Sequence, residues 1–121
     1  MEFGFERLEA WKKSRILVKA IYKLVRNFPT DEKSCLSAQL RRAVISISSN
    51  IAEGAGRIST KEKLHFCNIA YVSLMEVTCQ LILAEDLGFI TSNDNESIRP
   101  IIEETERLIR GYHNFLKEQN K

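Results

Sequence analysis

The segment from Phe66 to Ala84 constrains the fold most, because apolar side chains occur in it on nearly every side of a helical projection. The preceding run Ser59–Glu62 has the form of a capping box, in which a serine and a glutamate start a helix. The sequence therefore predicts a long helix that ends at Leu87, with Gly88 as its C-terminal cap. A helix that is apolar all round is buried on every side or spans a membrane.

A membrane span is not expected for this helix. Glu76 and several uncharged polar residues interrupt the run, so it contains no stretch of about 18 uncharged apolar residues. A chain with only four helices cannot bury so much apolar surface by itself. We therefore expect a second copy of the chain to cover the surplus, which predicts a homo-oligomer.

Three further segments show helical periodicity. The first runs from about Glu6 to Asn27 and ends at Phe28-Pro29, because proline cannot continue a helix. The second runs from near Ser34 to Gly54, where Gly54-Ala55-Gly56 is expected to stop it. The last follows a turn at residues 89–93 and ends near residue 118.

The last helix contains Pro100, which predicts a kink or a short first turn that ends before the next residue. Four helices with short connections favour an antiparallel up-down-up-down four-helix bundle, an all-α fold. The chain has 121 residues, and only five glycines and two prolines, which is too few for the turns of an all-β chain. We find no repeat or linker, so residues 1–121 are expected to form a single domain.

Charge is divided unevenly along the chain. The part up to Lys63 holds thirteen basic and seven acidic residues, and the remainder holds five basic and nine acidic residues. The first predicted helix carries five cations on one side, which we call the basic stripe: Lys12, Arg15, Lys19, Lys23 and Arg26.

Two interpretations of the basic stripe remain open. It is either a solvated helix face or a row of cations that displaces counterions from nucleic-acid phosphates. Arg41, Arg42 and Arg57 extend the same surface in the second interpretation, although Arg42 could instead pair with Glu53. Aromatic residues that could stack on bases are lacking on this side. Binding would therefore favour phosphate backbone and shape over base sequence.

Several motifs match one known family. The run Ser49–Arg57, together with Phe5–Leu8, Trp11, Gln39–Ala43 and Leu83–Phe89, resembles the four-helix-bundle family encoded in intervening sequences of bacterial 23S ribosomal RNA genes. The resemblance covers about residues 3–118. It implies an up-and-down bundle that assembles into a ring-like homopentamer. The chain is also similar to a relative, the accessory variability determinant of diversity-generating retroelements, which forms a basic pentameric barrel, binds nucleic acid and associates with a reverse transcriptase. The family usually has proline where this chain has Ser48, so a kink in the second helix cannot be assumed.

The family motif contains Asn50, Glu53, Gly54 and Gly56, and we interpret these residues as structural. Asn50 is expected to hydrogen-bond to backbone, and Glu53 to pair with an arginine. A catalytic role for the two is the less favoured interpretation. The two glycines do not form a phosphate loop, because no strand precedes them and the further glycine and the lysine of that motif are missing.

No catalytic or metal-binding constellation is expected. Glu62-x-x-His65 matches half of the di-iron signature of helical bundles, but His113 lacks the glutamate that a second copy needs. We therefore expect no cofactor, no metal and no enzymatic activity. Cys35, Cys67 and Cys79 fit no zinc spacing, and we expect buried, reduced thiols. No secretory signal follows Met1, which favours the cytoplasm.

The sequence thus predicts a non-enzymatic homo-oligomer, a pentamer by resemblance, that binds RNA, DNA or another polyanion through a surface of helices one and two. The alternative is an oligomeric scaffold that docks a protein partner and has no nucleic-acid role. A metal-dependent bundle enzyme is the third and least favoured possibility.

Overall fold

The structure of this chain is a computed structural model that describes residues 1–29 and 35–119. Within these ranges it contains four α-helices and no β-strand, which confirms the predicted all-α class. A 3₁₀ helix at Gly4–Arg7 precedes the first of them, and Leu8 separates the two in an extended conformation. The helices are α1 (Glu9–Val25), α2 (Leu36–Ala55), α3 (Thr60–Asp86) and α4 (Ser92–Gln119).

Each helix packs on two neighbours, so that α1 lies diagonally opposite α3. Gln80, late in α3, contacts Gln39 at the start of α2, whereas Lys63 at the start of α3 contacts Ala55 at the end of α2. These two helices are therefore antiparallel. The same reversal relates α3 to α4, since Glu85 and Tyr71 of α3 contact Asn95 and Glu106 of α4 respectively.

The remaining pair completes the bundle. A groove between α1 and α4 is lined by Ala20 and Leu24 beside Ile98, and a second groove is lined by Leu8 beside Tyr112. Residue numbers thus rise along α1 while they fall along α4. The chain runs up, down, up and down.

Local signals set most helix ends as predicted. The Ser59 hydroxyl accepts a hydrogen bond from the Glu62 backbone N–H at 3.1 Å, which caps α3. After α3, Gly88 adopts a φ of +79°, the left-handed conformation that glycine permits. The helix α4 does not end at Pro100 but continues through it.

The core lies between the inner faces of the four helices. Most of its large, fully buried side chains are branched aliphatic ones, and Phe28, after the end of α1, packs on Phe89 with ring centroids 5.6 Å apart. The largest side chains of this core are Leu17, Ile21, Leu40, Ile47, Ile51, Leu74, Leu81 and Ile109.

The expectation of three buried thiols is wrong for two of them. Cys67 is buried on the inner face of α3, and burial raises the pKa of its thiol to about 11. Cys79 lies on the same helix but is exposed, and Cys35, just before α2, is exposed as well. The twelve residues from Cys67 to Cys79 turn the second cysteine about 120° around the helix axis, onto the outer side.

The helix α3 is long and apolar enough to cross a membrane by length and composition, with a mean hydropathy of 1.5 in an 18-residue window. The structure instead packs one side of it on α2 and α4, as the core helix of a bundle. Eight of its residues are buried, and they follow the helical period: Cys67, Ala70, Ser73, Leu74, Val77, Gln80, Leu81 and Ala84.

Candidate nucleic-acid interface

The basic stripe forms the outer face of α1. Ala10, Ser14, Leu17, Ile21 and Val25 of α1 are buried, and the stripe occupies the opposite side of this helix. All five cations of the stripe are exposed. They extend over fourteen residue steps, about 21 Å of helix axis.

Three cations of the stripe have no acidic partner among the residues that the structure describes. Lys12 pairs with Glu9 at 3.5 Å, and the guanidinium of Arg15 lies 5.4 Å from the centroid of the Trp11 ring. For Lys19, Lys23 and Arg26, the described residues offer no carboxylate within 4 Å. Within residues 1–29 and 35–119, these three exposed side chains are left without a counter-charge.

The cations of α4 are arranged differently. Arg107 donates from Nε to Glu104 Oε2 at 3.0 Å, and Arg110 donates from Nε to Glu106 Oε2 at 3.0 Å. These hydrogen bonds, and the arginine charges, hold the pKa of both carboxyl groups below its ordinary value. The acidic middle of α4 is thus partly neutralised within its own helix.

The arginines of α2 do not all lie beside the basic stripe. Arg41 donates to the Ser37 hydroxyl and lies two turns before Ser48, whose hydroxyl is 2.9 Å from that of Ser14 on α1. This contact places Arg41 on the side of α2 that faces α1. Arg42 is exposed one position further round the helix.

Arg57 follows the end of α2 and lies beside α3. Its guanidinium is 4.6 Å from the ring centroid of Phe66, which belongs to α3. The structure therefore brings Arg41 towards the basic stripe and directs Arg57 towards α3.

Asn50 and Glu53 have separate environments. Asn50 Nδ2 donates to the Ser46 carbonyl at 2.8 Å and to the Ser46 hydroxyl at 2.9 Å. The expected hydrogen bond to backbone is therefore present, and it lies within α2. The Ser46 hydroxyl is also 2.9 Å from that of Ser73, so this cluster joins α2 to α3.

The predicted pairing of Glu53 with an arginine is wrong. Glu53 is exposed, and none of the ion pairs among residues 1–29 and 35–119 includes it. Arg42 lies eleven residues earlier, about 16 Å along the axis, which is too far for a direct contact.

The two glycines of the family motif have different roles. Gly56 is the C-terminal cap of α2, although its φ of −83° and ψ of −5° are right-handed. Gly54 lies inside α2, where an added Cβ would come within 2.7 Å of Phe66 Cβ. The helix ends at Ala55, which confirms the predicted stop at Gly54-Ala55-Gly56, although Gly54 itself still lies in the last turn. The missing side chain of Gly54 lets α2 approach α3.

The half-signature for di-iron is not completed. Glu62 and His65 are exposed on α3, and His113 lies in a cleft between α3 and α4 with Cys67, Tyr71 and Arg110. Among the described residues, no group of three His, Cys, Asp or Glu side chains could hold a metal ion.

The outer face of α3 carries an apolar row that the composition alone does not reveal. Val72, Met75, Cys79 and Ile82, which we call the α3 seam, are exposed and separated by three, four and three residues. Val72 retains 56% and Ile82 44% of its accessible surface. The sequence predicted surplus apolar surface on this helix but not which row would carry it.

Two comparisons relate the chain to known proteins. A family model described as 23S rRNA-intervening sequence protein matches residues 6–111. Among solved structures, the chain is similar to a crystal structure of a protein of unknown function from the S23 ribosomal protein family of Bacteroides thetaiotaomicron, with 25% sequence identity and a TM-score of 0.79. That match covers 87% of this chain and 95% of the other. No curated protein sequence matches significantly.

Proposed function

Because this chain belongs to the 23S rRNA-intervening sequence protein family, we propose that it is a non-enzymatic cytosolic homo-oligomer that binds RNA or another polyanion through the basic stripe. The observation that carries the proposal is the exposure of Lys19, Lys23 and Arg26 without an acidic partner among the described residues. Cations on a rigid helix bind phosphates by releasing condensed counterions. Arg41, on the α1 side of α2, extends this surface.

The phosphate backbone is the expected target. Of the aromatic residues near the basic stripe, Trp11 is contacted at its ring by Phe5, with centroids 5.0 Å apart, and by Arg15. Stacking on unpaired bases needs free aromatic faces. The surface is therefore better suited to the regular phosphates of a duplex than to single-stranded bases.

Assembly would multiply the basic stripe. Five copies is the number that the family resemblance implies, and five stripes would surround one particle. The exposed apolar residues of α3 support association, since contiguous apolar patches on a protein surface mark interaction sites. The same residues also favour the alternative of a scaffold that docks a different protein.

The proposal assigns no catalytic step to the chain. Asn50 is engaged by its own helix, and Glu62 and His65 point to solvent from α3. The Bacteroides thetaiotaomicron relative is likewise described as a protein of unknown function.

Charge reversal tests the RNA-binding proposal. The double variant Lys19→Glu, Lys23→Glu should retain its fold and lose at least about tenfold in affinity for a short RNA duplex, measured by fluorescence anisotropy. The matched control Lys61→Glu, Lys117→Glu changes the net charge by the same amount on other exposed positions, and should bind nearly as the wild type does.

Salt dependence gives a second measurement. The logarithm of the wild-type affinity should fall linearly with the logarithm of salt concentration, with a slope of about −0.9 for each neutralised phosphate. Binding that ignores salt, or equal losses in both double variants, would refute a role for the basic stripe. A stoichiometric protein partner co-purified without nucleic acid would support the scaffold instead.

A further inference from the structure

A cleft of about 200 Å³ lies between α3 and α4. Cys67 of α3 and Ile109 of α4 form its floor and keep only 2% and 1% of their accessible surface. The rest of the lining is polar and consists of Asn68, Tyr71, Arg110 and His113. Small-molecule sites in helical bundles lie between helices and combine an apolar lining with a few convergent polar groups. The cleft has the composition of such a site.

The floor of the cleft is apolar although it contains a thiol. Burial raises the pKa of Cys67 to about 11, so this thiol is neutral at physiological pH. Its hydrogen is engaged within the protein, because Cys67 Sγ donates to the Ile109 carbonyl at 3.8 Å. A buried neutral cysteine behaves as a small hydrophobic residue. The apolar part of a ligand would therefore be stabilised by contact with this floor.

The size of the cleft fits one ring with one small substituent. Tyr71 lines one end and donates to Glu106 at 3.3 Å, whereas His113 lines the other end, seven residues later on α4 and about 10 Å along its axis. A protein cavity of about 150 Å³ holds one benzene molecule. The somewhat larger cleft therefore admits a benzene ring that carries a short polar group.

Hydrogen-bond donors predominate at the opening of the cleft. Arg110 uses two of its five N–H groups on Glu106, through Nε at 3.0 Å and Nη2 at 3.2 Å, so that three remain. Glu106 also accepts from the Tyr71 hydroxyl, and it holds the guanidinium in place beside the cleft. The side chains of Asn68 and His113 have no hydrogen-bond partner within residues 1–29 and 35–119. None of the six lining residues is acidic, so the opening suits a ligand group that accepts hydrogen bonds.

Two of these donors lie on opposite sides of the opening at nearly the same height. Cys67 contacts Ile109 between antiparallel helices, so the next residues, Asn68 and Arg110, are offset by two residue steps, about 3 Å along the axis. A carboxylate has two oxygens and accepts from several donors at once. One carboxylate between the two helices would therefore accept from both side chains.

We propose that this cleft binds a small aromatic carboxylate. The ring lies on the floor formed by Cys67 and Ile109, and the carboxylate accepts hydrogen bonds from Arg110 and Asn68 at the opening. Hydrogen bonds between a guanidinium and a carboxylate are shorter and stronger than those between neutral groups. The basic stripe lies on α1, diagonally opposite α3, so binding in the cleft does not depend on the proposed function.

Fluorine NMR with para-fluorobenzoate tests the cleft. We expect saturable binding to the wild type with a dissociation constant of about 1 mM or lower, which is typical of a ligand of this size. The neutral probe para-fluorobenzamide has the same shape without the charge, and acetate has the charge without the ring. Each should bind at least about tenfold more weakly, because one loses the charged hydrogen bonds and the other the contact with the floor.

Arg110→Gln removes the guanidinium and has a matched control on the same helix. It should weaken the binding of para-fluorobenzoate at least about tenfold. Arg107 resembles Arg110 in exposure, 61% against 59%, and also pairs with a glutamate of the preceding turn. Arg107 does not line the cleft, so Arg107→Gln should bind para-fluorobenzoate as the wild type does.

Two further variants test the other contacts. Asn68→Asp, at an exposed position, keeps the side-chain shape and places a carboxylate at the opening. It should weaken the binding of para-fluorobenzoate at least about tenfold and should not weaken that of para-fluorobenzamide. Cys67→Leu fills the floor and should abolish the binding of both probes, with circular dichroism as the check on its fold. If Cys67→Leu does not fold, the two surface variants still decide the result.

The outcomes are distinct. Saturable binding of para-fluorobenzoate that is lost in Arg110→Gln and Asn68→Asp and kept in Arg107→Gln would support the inference. No saturable binding, equal affinities for the charged and neutral probes, or equal losses in the two arginine variants would overturn it. None of these measurements depends on RNA binding, so a failure of the cleft and a failure of the proposed function are distinguishable.

Discussion

The outer faces of α1 and α3 differ in kind, although the inner faces of these diagonally opposite helices are alike. Inside the bundle, Leu17 and Ile21 of α1 and Leu74 and Leu81 of α3 are all fully buried. Outside, α1 presents the basic stripe and α3 presents the α3 seam. The two helices therefore make the same contribution to the fold and different contributions to the surface.

Packing within one bundle explains the inner faces of both helices but not their outer faces. A charged outer face is stable in water without a partner. An apolar outer face costs about 25 cal/mol for each Å² exposed, and only another surface removes that cost. Solvation alone would thus account for the basic stripe, whereas the exposure of the α3 seam supports the proposed association of copies.

The largest expected effect tests whether the inner faces of α1 and α3 contribute equally to the stability of the bundle. Leu74→Ala should lower the free energy of unfolding by about 2–5 kcal/mol, because it leaves a cavity at a site with no solvent exposure. Leu17→Ala, on the inner face of α1, should fall in the same range. Urea denaturation followed by circular dichroism measures both.

Ile16→Ala is the control for this prediction. Ile16 is 48% exposed on the outer side of α1, so its truncation should cost less than about 1 kcal/mol. An equal loss of unfolding free energy for Ile16→Ala and Leu17→Ala would contradict the placement of Leu17 on the buried side of α1 and of Ile16 on its exposed side.

The next effect concerns the close approach of α2 to α3 at Gly54. Gly54→Ala should lower the free energy of unfolding by about 1–3 kcal/mol, because the new methyl group would meet the rigid Cβ of Phe66. Gly111 lies in α4 with open space at the same position. Gly111→Ala should stabilise the protein by about 0.5–1 kcal/mol, since alanine favours the helix. If both substitutions stabilise, the contact between α2 and α3 is looser than described.

The sequence predicted the features that depend on local signals. The four helices, the Ser59 cap and the turn at Gly88 each follow from a few adjacent residues, and the structure contains all of them. The wrong expectations concern pairs of distant residues. Arg42 and Glu53, for example, share one side of α2 but lie about 16 Å apart along its axis, so the expected ion pair does not form.

The orientation of α3 was the hardest feature to predict. A helix that is apolar on most sides gives no sequence signal for which row faces inward, so Cys67 and Cys79 looked equivalent. Packing against α2 and α4 decides between the rows. The surplus of apolar surface was therefore predictable, whereas its position on the outer side became clear only from the structure.

Cys67 lies on the inner face of α3 and Cys79 on its outer face. The smallest expected effect concerns the ionisation of the Cys67 thiol. The unfolded Cys67 thiol ionises near its ordinary pKa of 9.0, whereas burial raises its folded pKa to about 11. Between these values the unfolded state loses a proton that the folded state keeps, so stability falls as pH rises.

The loss should reach about 1 kcal/mol at about pH 10. Urea denaturation from about pH 8 to about pH 10 should show a steeper decline for the wild type than for Cys67→Ala, which lacks the group. Cys79→Ala keeps Cys67 and removes the exposed thiol of the outer side, so its decline should match that of the wild type. Identical pH profiles for wild type and Cys67→Ala would mean that the inner face of α3 admits water, and the contrast between its two sides would lose its basis.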